Sequence, residues 1–246
     1  MTNTSPIEPV SFKQLSEINP SVCFFAQLQL EGLGVVDANR LVKIESSHFD
    51  AERQRDDHPP NVLLTRFSDK TSIYFTHSLP QELVDTIQNE DLEDVLTTTN
   101  NITAILKAAS LFHEFEQSIT YTIPNLGDLT FEGTRSIVAS DDPLINQFNP
   151  TFYRKFPMAY AVLHESKVVS CCVSSRENDR AGEAWIFTLP EYRKQGFGSK
   201  AVLFWASELQ KAGKIPLYSH IDSNSSSRNL AHKLNLMQVF ENVSFN

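Results

Sequence analysis

Ala184-Trp185-Ile186-Phe187-Thr188-Leu189-Pro190-Glu191-Tyr192-Arg193-Lys194-Gln195-Gly196-Phe197-Gly198-Ser199 reads as an apolar strand, a basic polar loop, a Gly-x-Gly turn and the start of a helix. That order makes an anion site. Glycines let the backbone approach a ligand closely. The N–H groups of a first helical turn have no partner within the helix, and they face outward with the positive end of the helix dipole. Arg193 and Lys194 add charge, so the turn suits a molecule that carries a diphosphate.

Gly196-x-Gly198-x-x-Ala201 also satisfies the loose dinucleotide fingerprint G-x-G-x-x-G/A, and Asp222 lies downstream near the end of the next strand. Two features oppose that reading. A dinucleotide turn leaves its strand almost directly into the first glycine, whereas Pro190 and the segment from Glu191 to Gln195 intervene here. The motif also falls too near the C-terminus for the remaining strands of a doubly wound sheet. A P-loop is excluded because the chain holds no G-x-x-x-x-G-K-[ST].

The segment Pro190 to Gly198 resembles the acetyl-CoA pyrophosphate loop of the GNAT superfamily of N-acetyltransferases, whose pattern is Q/R-x-x-G-x-G/A. Arg193, Gly196 and Gly198 fill its three fixed places. A second block follows at the right distance. Leu217-Tyr218-Ser219-His220 reads as a short strand, and Asn224 to Leu236 resembles the family's N-x-x-A/S-x-x-x-[Y/A]-x-K-L-G-F helix. Asn235 stands where that pattern has glycine and Leu236 where it has phenylalanine; Asn also tolerates a left-handed helix end. The resemblance covers about residues 125–246. It implies an α/β (α+β) fold: a C-terminal GNAT-like mixed β-sheet flanked by helices, with a smaller N-terminal α+β domain. The expected division is residues 1–120 as an accessory or acceptor-side domain and 121–246 as the acetyl-CoA-binding catalytic domain.

Composition frames this reading. The 246 residues have ample apolar content for a core, and the formal charge of −9 argues against nucleic acid as the main partner. Cys23, Cys171 and Cys172 read as buried small apolar residues, since neighbouring cysteines in a strand point to opposite faces. No pair of histidines has metal-ligand spacing, so no metal is expected. Neither a signal peptide nor a membrane-spanning run is evident, and the expected location is the cytoplasm, with no membrane partner and a homodimer compatible with the rest.

The pattern predicts a helix over about 35–54, broken at Arg55 to Pro60. It predicts a hairpin from strands 62–67 and 72–77, then helices over 79–89 and 102–109. Residues 121–127 read as a hinge. Strands 159–164 and 167–173 follow, joined by a tight turn at Glu165-Ser166, and then the signature strand and a helix from Gly198 to Ala212 that buries Trp205.

Several site assignments follow from the resemblance. Backbone near Phe187 and Thr188 would bind the pantetheine arm of acetyl-CoA. Arg193, Lys194, Gln195, Gly196, Phe197, Gly198 and Ser199 would wrap its pyrophosphate, with Asn224 and Ser227 as further contacts. Thr188 also reads as strand packing and Asn224 as a helix cap. Glu183 is the candidate general base or a solvated strand-end glutamate. Where many members place an acidic tyrosine, this chain has Ala231; Tyr218, Ser219 or water would then supply the proton. The favoured function is acetyl transfer from acetyl-CoA to a primary amine on a small molecule or peptide. A non-catalytic acyl-CoA-binding module is the alternative, followed by a dinucleotide-binding protein.

Overall fold

Residues 19–37, 39–44, 49–50, 59–90, 92, 95–138, 143–148 and 155–246 are described by a computed structural model. In chain order the elements are α1 (Pro20–Leu30), β1 (Leu33–Val36), β2 (Arg40–Lys43), β3 (Phe49–Asp50), β4 (Val62–Arg66), β5 (Thr71–Thr76), α2 (Gln81–Gln88), α3 (Val95–Ala108), β6 (Phe115–Thr122), β7 (Thr134–Val138) and α4 (Pro143–Phe148). Then come β8 (Met158–His164), β9 (Lys167–Glu177), β10 (Ala181–Thr188), α5 (Phe197–Lys211), β11 (Ile215–Ile221), α6 (Ser225–Lys233) and β12 (Met237–Phe245).

Among the described residues the strands form one mixed sheet in the order β1-β2-β5-β4-β12-β6-β11-β10-β9-β8-β7, with β3 alongside β9. β10 and β11 are parallel, as are β2 and β5; the other pairings are antiparallel. β6 spans residue 120 and runs between β11 and β12, and β12 pairs in turn with β4. Hydrogen bonds of the sheet therefore join the first half of the chain to the second without a break.

Side-chain alternation along the strands sends residues to two faces. On one face α5 and α6 cover Tyr121, Tyr160, Val169 and Tyr218 with Val202, Trp205, Leu209 and Ala231. Trp205 is fully buried and donates Nε1–H to Ser174 Oγ at 3.0 Å, so it is a core residue. On the other face α1 packs Cys23, Phe24 and Leu28 against Leu63, Ala181, Leu217 and Phe240. α4 packs Ile145 and Phe148 against Ala159, Ala161, Cys171 and Val173. The three cysteines are buried and free.

Two expectations need correction. The helix over 35–54 is not formed: Asp37, at φ 49°, turns β1 back onto β2, and Phe49–Asp50 pairs with β9. The β-branched pair Val35-Val36 suits that strand. The rest of the expected helix lies in part outside the described residues. A helix forms earlier instead, at α1, where Asn19 caps by accepting from the Ser21 N–H at 2.9 Å and Pro20 takes the first turn. Its apolar residues lie on all sides, so no amphipathic period marks it. The expected hinge at 121–127 is clamped: Gln210 Nε2 donates to the Ile123 and Pro124 carbonyls and its Oε1 accepts from the Leu126 N–H, all at 3.0 Å. The Glu165-Ser166 turn is present, with φ 48° and 63°, the left-handed pair that a two-residue hairpin needs.

Candidate active site

β10 and β11 share only three register pairs, Ala181 with Ile215, Gly182 with Pro216 and Glu183 with Leu217. Beyond Glu183 the strands part, while β10 continues against β9 to Thr188 and β11 against β6 to Ile221. Glu183 thus stands at the vertex of an opening between two parallel strands. A bulge fixes the same point. Glu183 opposes Arg176 and Ala184 opposes Ser174, which leaves Ser175 as the extra residue of β9. Its hydroxyl donates to the Glu183 carbonyl at 3.2 Å.

β10 leads into the glycine turn. Pro190–Tyr192 forms a single 3-10 turn, Lys194 adopts φ 61° and Gly196 φ 90°, and α5 begins at Phe197. Gly196 caps α5 without a side chain to satisfy the first-turn N–H groups. A Cβ on Gly198 would meet Thr188 Oγ1 at 3.2 Å and Ile186 Cδ1 at 3.5 Å, so the turn lies close on the end of β10. Thr188 Oγ1 is hydrogen-bonded to Ser170 Oγ at 2.8 Å. Arg193 is exposed; its Nε donates to the Thr188 carbonyl at 3.1 Å and its guanidinium lies 5.7 Å from the Phe187 ring centroid. Lys194 and Gln195 are exposed, Phe197 and Gly198 half-buried, and Ser199 buried under the first turn. Two left-handed residues, a helix start with no side-chain cap and two exposed cations lie together at this turn.

Asn224 caps α6, its Oδ1 accepting from the Ser227 N–H at 3.1 Å. Ser227 in turn accepts from Tyr218 through its carbonyl, at 3.4 Å. Tyr218 is 2% exposed, and burial pushes its hydroxyl up to about 12. Ala231, on α6, is buried in the same core. His220 stacks on Tyr121 at 5.6 Å.

Glu183 lies on the other face, in reach of α1. It is 6% exposed. Its Oε1 accepts from Gln27 Nε2 at 3.1 Å and from the Ser219 hydroxyl. Its Oε2 has no hydrogen bond among the described residues and lies 3.4 Å from an Arg176 guanidinium nitrogen, outside good hydrogen-bond geometry but within ion-pair range. The same Arg176 nitrogen lies 3.6 Å from Glu31, and Gln27 Nε2 donates also to Glu31 at 3.1 Å. Although 32% of the Glu31 side chain is exposed, packing around its carboxyl removes water and holds it above its usual range; Arg176 opposes that and Glu183 adds to it. The structure therefore brings Glu183 and Ser219 together and sends Tyr218 to the opposite face. Sequence reasoning missed Gln27, Glu31 and Arg176. Gln27 lies in a helix without an amphipathic stripe and Glu31 caps that helix four residues on, and Arg176 reads as the edge of a polar loop until the bulge turns it toward Glu183.

A cleft of about 460 Å³ opens at the far end of the strands, lined by Asn19, Cys23, Thr122, Gln210 and Ile215, away from the glycine turn. Among the described residues no three His, Cys, Asp or Glu side chains are grouped to hold a metal, and no helix is long and apolar enough to cross a membrane.

Comparison with solved structures gives GNAT-family proteins. One from Novosphingobium aromaticivorans is 15% identical with a TM-score of 0.42; the match covers 55% of this chain and 65% of that one. One from Colwellia psychrerythraea is 14% identical with a TM-score of 0.43, covering 71% of this chain and 75% of the other. A GCN5-related N-acetyltransferase-like protein from Streptococcus suis is 12% identical with a TM-score of 0.41, covering 78% and 86%. No curated protein matches the sequence. The sequence pattern of the GNAT acetyltransferase family matches residues 72–243, which extends well before the stretch that carried the resemblance. That span is well over half of the chain and contains the parted strands, the glycine turn and α5, and the chain belongs to the GNAT acetyltransferase family.

Proposed function

We propose that this protein transfers an acetyl group from acetyl-CoA to a primary amine of a small molecule or peptide. The observation that carries the reading is the buried Glu183 carboxylate at the vertex of the parted strands, on the strand that runs directly to the glycine turn. The first-turn N–H groups of α5, with Arg193 and Lys194, would hold the pyrophosphate, and the unpaired edge of β10 near Phe187 and Thr188 would hold the pantetheine arm. Acetyl-CoA supplies the activated acyl group.

The amine arrives as an ammonium. Glu183 takes one proton and frees the nitrogen lone pair. The N–C bond forms as the C–S bond breaks. The nitrogen keeps one hydrogen in the amide, the thiol leaves with the other by way of water, and Glu183 returns its proton to solvent. Ser219, hydrogen-bonded to Glu183, orients the carboxylate. Free buried Cys23, Cys171 and Cys172 support a reducing, cytoplasmic setting. A second reading, acyl-CoA binding without chemistry, draws support from Ala231 at the usual tyrosine position and from the Tyr218 hydroxyl, which is engaged by Ser227.

The deciding experiment measures acetyl-CoA affinity by titration calorimetry and thiol release across a panel of primary amines. Acetyl-CoA binding with amine-dependent release supports the transferase. Binding without release for any amine favours the second reading. NADH binding without acetyl-CoA binding restores the dinucleotide reading.

A further inference from the structure

Beyond Glu183 the two parted strands carry apolar side chains on the face that the carboxylate occupies. Alternation along β10 sends Ala184 and Ile186 to the α5 face, and Trp185 and Phe187 to the face of Glu183. Along β11 it sends Leu217, Ser219 and Ile221 to that same face: Leu217 packs in the α1 core, Ser219 bonds Glu183, and Ile221 is 40% exposed at the strand end. The strands separate after the pair Glu183 and Leu217. The opening is therefore narrow and polar at Glu183 and Ser219, and it widens between the two rings on one side and Ile221 on the other. The Trp185 and Phe187 rings are 7° from parallel, with centroids 6.4 Å apart. Phe187 is braced, for Phe148 of α4 meets it edge-on at 5.7 Å and Arg193 lies 5.7 Å from its centroid. Both rings are only half-buried, although Ala161, Cys171 and Val173 of the same layer are fully buried. A large aromatic surface left partly in water next to a buried carboxylate has the make-up of a ligand wall: apolar area with one polar group to fix orientation.

Resting on the function proposed above, we infer that the acceptor is a primary amine with an aromatic ring on a short carbon spacer, and that Trp185 selects it. Positions two apart on one strand face are separated by about 7 Å. With the nitrogen at Glu183, a spacer of roughly two to four carbon atoms brings a ring against the Trp185 indole. Stacking there removes apolar surface of both rings from water, which an amine without a ring cannot do. Trp185 determines specificity and takes no part in proton transfer. The required skeleton has two sources, a free arylalkylamine and the N-terminus of a peptide whose first residue is aromatic.

The test measures kcat/KM in the full chain for two pairs of amines: 2-phenylethylamine against ethylamine, and phenylalanyl-diglycine against triglycine. In at least one pair the ring should raise kcat/KM at least about tenfold, and the pair with the higher value names the source. In Trp185→Ala that ratio should fall toward one, and Trp185→Phe should keep a clear preference for the ring. Equal use of both members in both pairs overturns the inference, as does a preference that survives Trp185→Ala. If Trp185→Ala does not fold, fluorescence decides. Trp185 and Trp205 are the two tryptophans of the chain, and Trp205 is fully buried on the opposite face. With coenzyme A present, 2-phenylethylamine should change wild-type emission saturably, and the change should vanish in Trp185→Phe. No saturable change, or one that persists in Trp185→Phe, overturns the inference. Acetylation of ethylamine and 2-phenylethylamine with equal kcat/KM, and of the two peptides likewise, leaves the transferase reading standing and sinks this one. Saturable binding at Trp185 in a protein that acetylates no amine does the reverse.

Discussion

Alanine at Gly196 should cost more stability than alanine at Gly198, although the two glycines are only two residues apart. At Gly196 the backbone has φ 90°, and a Cβ there would have nothing within 4 Å. The cost of Gly196→Ala is therefore conformational alone, about 1–2 kcal/mol for an L-residue held in the left-handed region. In a protein of this size each kcal/mol lowers Tm by about 2–4 °C, which gives a fall of roughly 2–8 °C. At Gly198 no such strain exists. The new methyl would meet Thr188 Oγ1 at 3.2 Å and needs that side chain to yield by a few tenths of an ångström. Thr188 is tied to Ser170, so the movement has a cost, but one below about 1 kcal/mol. Ligand binding should invert the order of effects. Gly198→Asp adds bulk and like charge to the face of the turn that would receive phosphates, and acetyl-CoA affinity should fall at least about tenfold while the melting curve keeps its shape. Differential scanning calorimetry and acetyl-CoA titration on the three variants make the measurement. The reasoning fails if Gly198→Ala loses more stability than Gly196→Ala, or if Gly198→Asp binds acetyl-CoA as wild type does.

Glu183→Gln should lower kcat about 10²-fold or more at neutral pH with acetyl-CoA affinity preserved, and steady-state kinetics beside calorimetry would reveal a bystander by near-normal turnover. Arg176→Met should cost about 3 kcal/mol at pH 8, because it removes the cation that faces the Glu31 and Glu183 carboxylates. Burial already raises the Glu31 carboxyl above its unfolded value, so stability tied to it is complete below the unfolded value and lost as pH climbs through the folded one. The loss in Arg176→Met should accordingly shrink toward pH 5, and urea denaturation showing equal losses at pH 5 and pH 8 would refute the charge argument. A fragment of residues 119–246 should not fold cooperatively, since it cuts β6 and strips α1 and β4 from the sheet; a sharp thermal transition by circular dichroism would contradict this.

The glycine turn was legible because its chemistry is local. Lys194, Gly196 and Gly198 carry the conformation in their own side chains or lack of them, and the helix that follows has a clear apolar stripe. Glu183 was legible as a candidate from its place at the head of β10. What surrounds it was not, because Gln27, Glu31 and Arg176 reach it across the sheet and through a bulge centred on Ser175, which no sequence period announces. Asn224 shows the reverse case: the capping pattern was visible, and the cap is what the structure contains. The strands of the first half misled for a physical reason. Val36, Leu41, Ile44 and Phe49, with charged residues between them, suited a helix, yet the turn at Asp37 folds Val36 and Leu41 into a two-stranded edge.

β12 has a consequence for the order in which this protein can be assembled. It pairs with β6 on one side and with β4 on the other, so β1, β2, β4 and β5 join the rest of the sheet through a segment late in the chain. During synthesis the outer edge of β4 must wait while about 170 residues, from Phe67 to Leu236, are added before β12 emerges. Folding of this topology is governed by distant contacts and is therefore slow. The waiting edge of β4 and the uncovered α1 face are the surfaces a chaperone would need to shield.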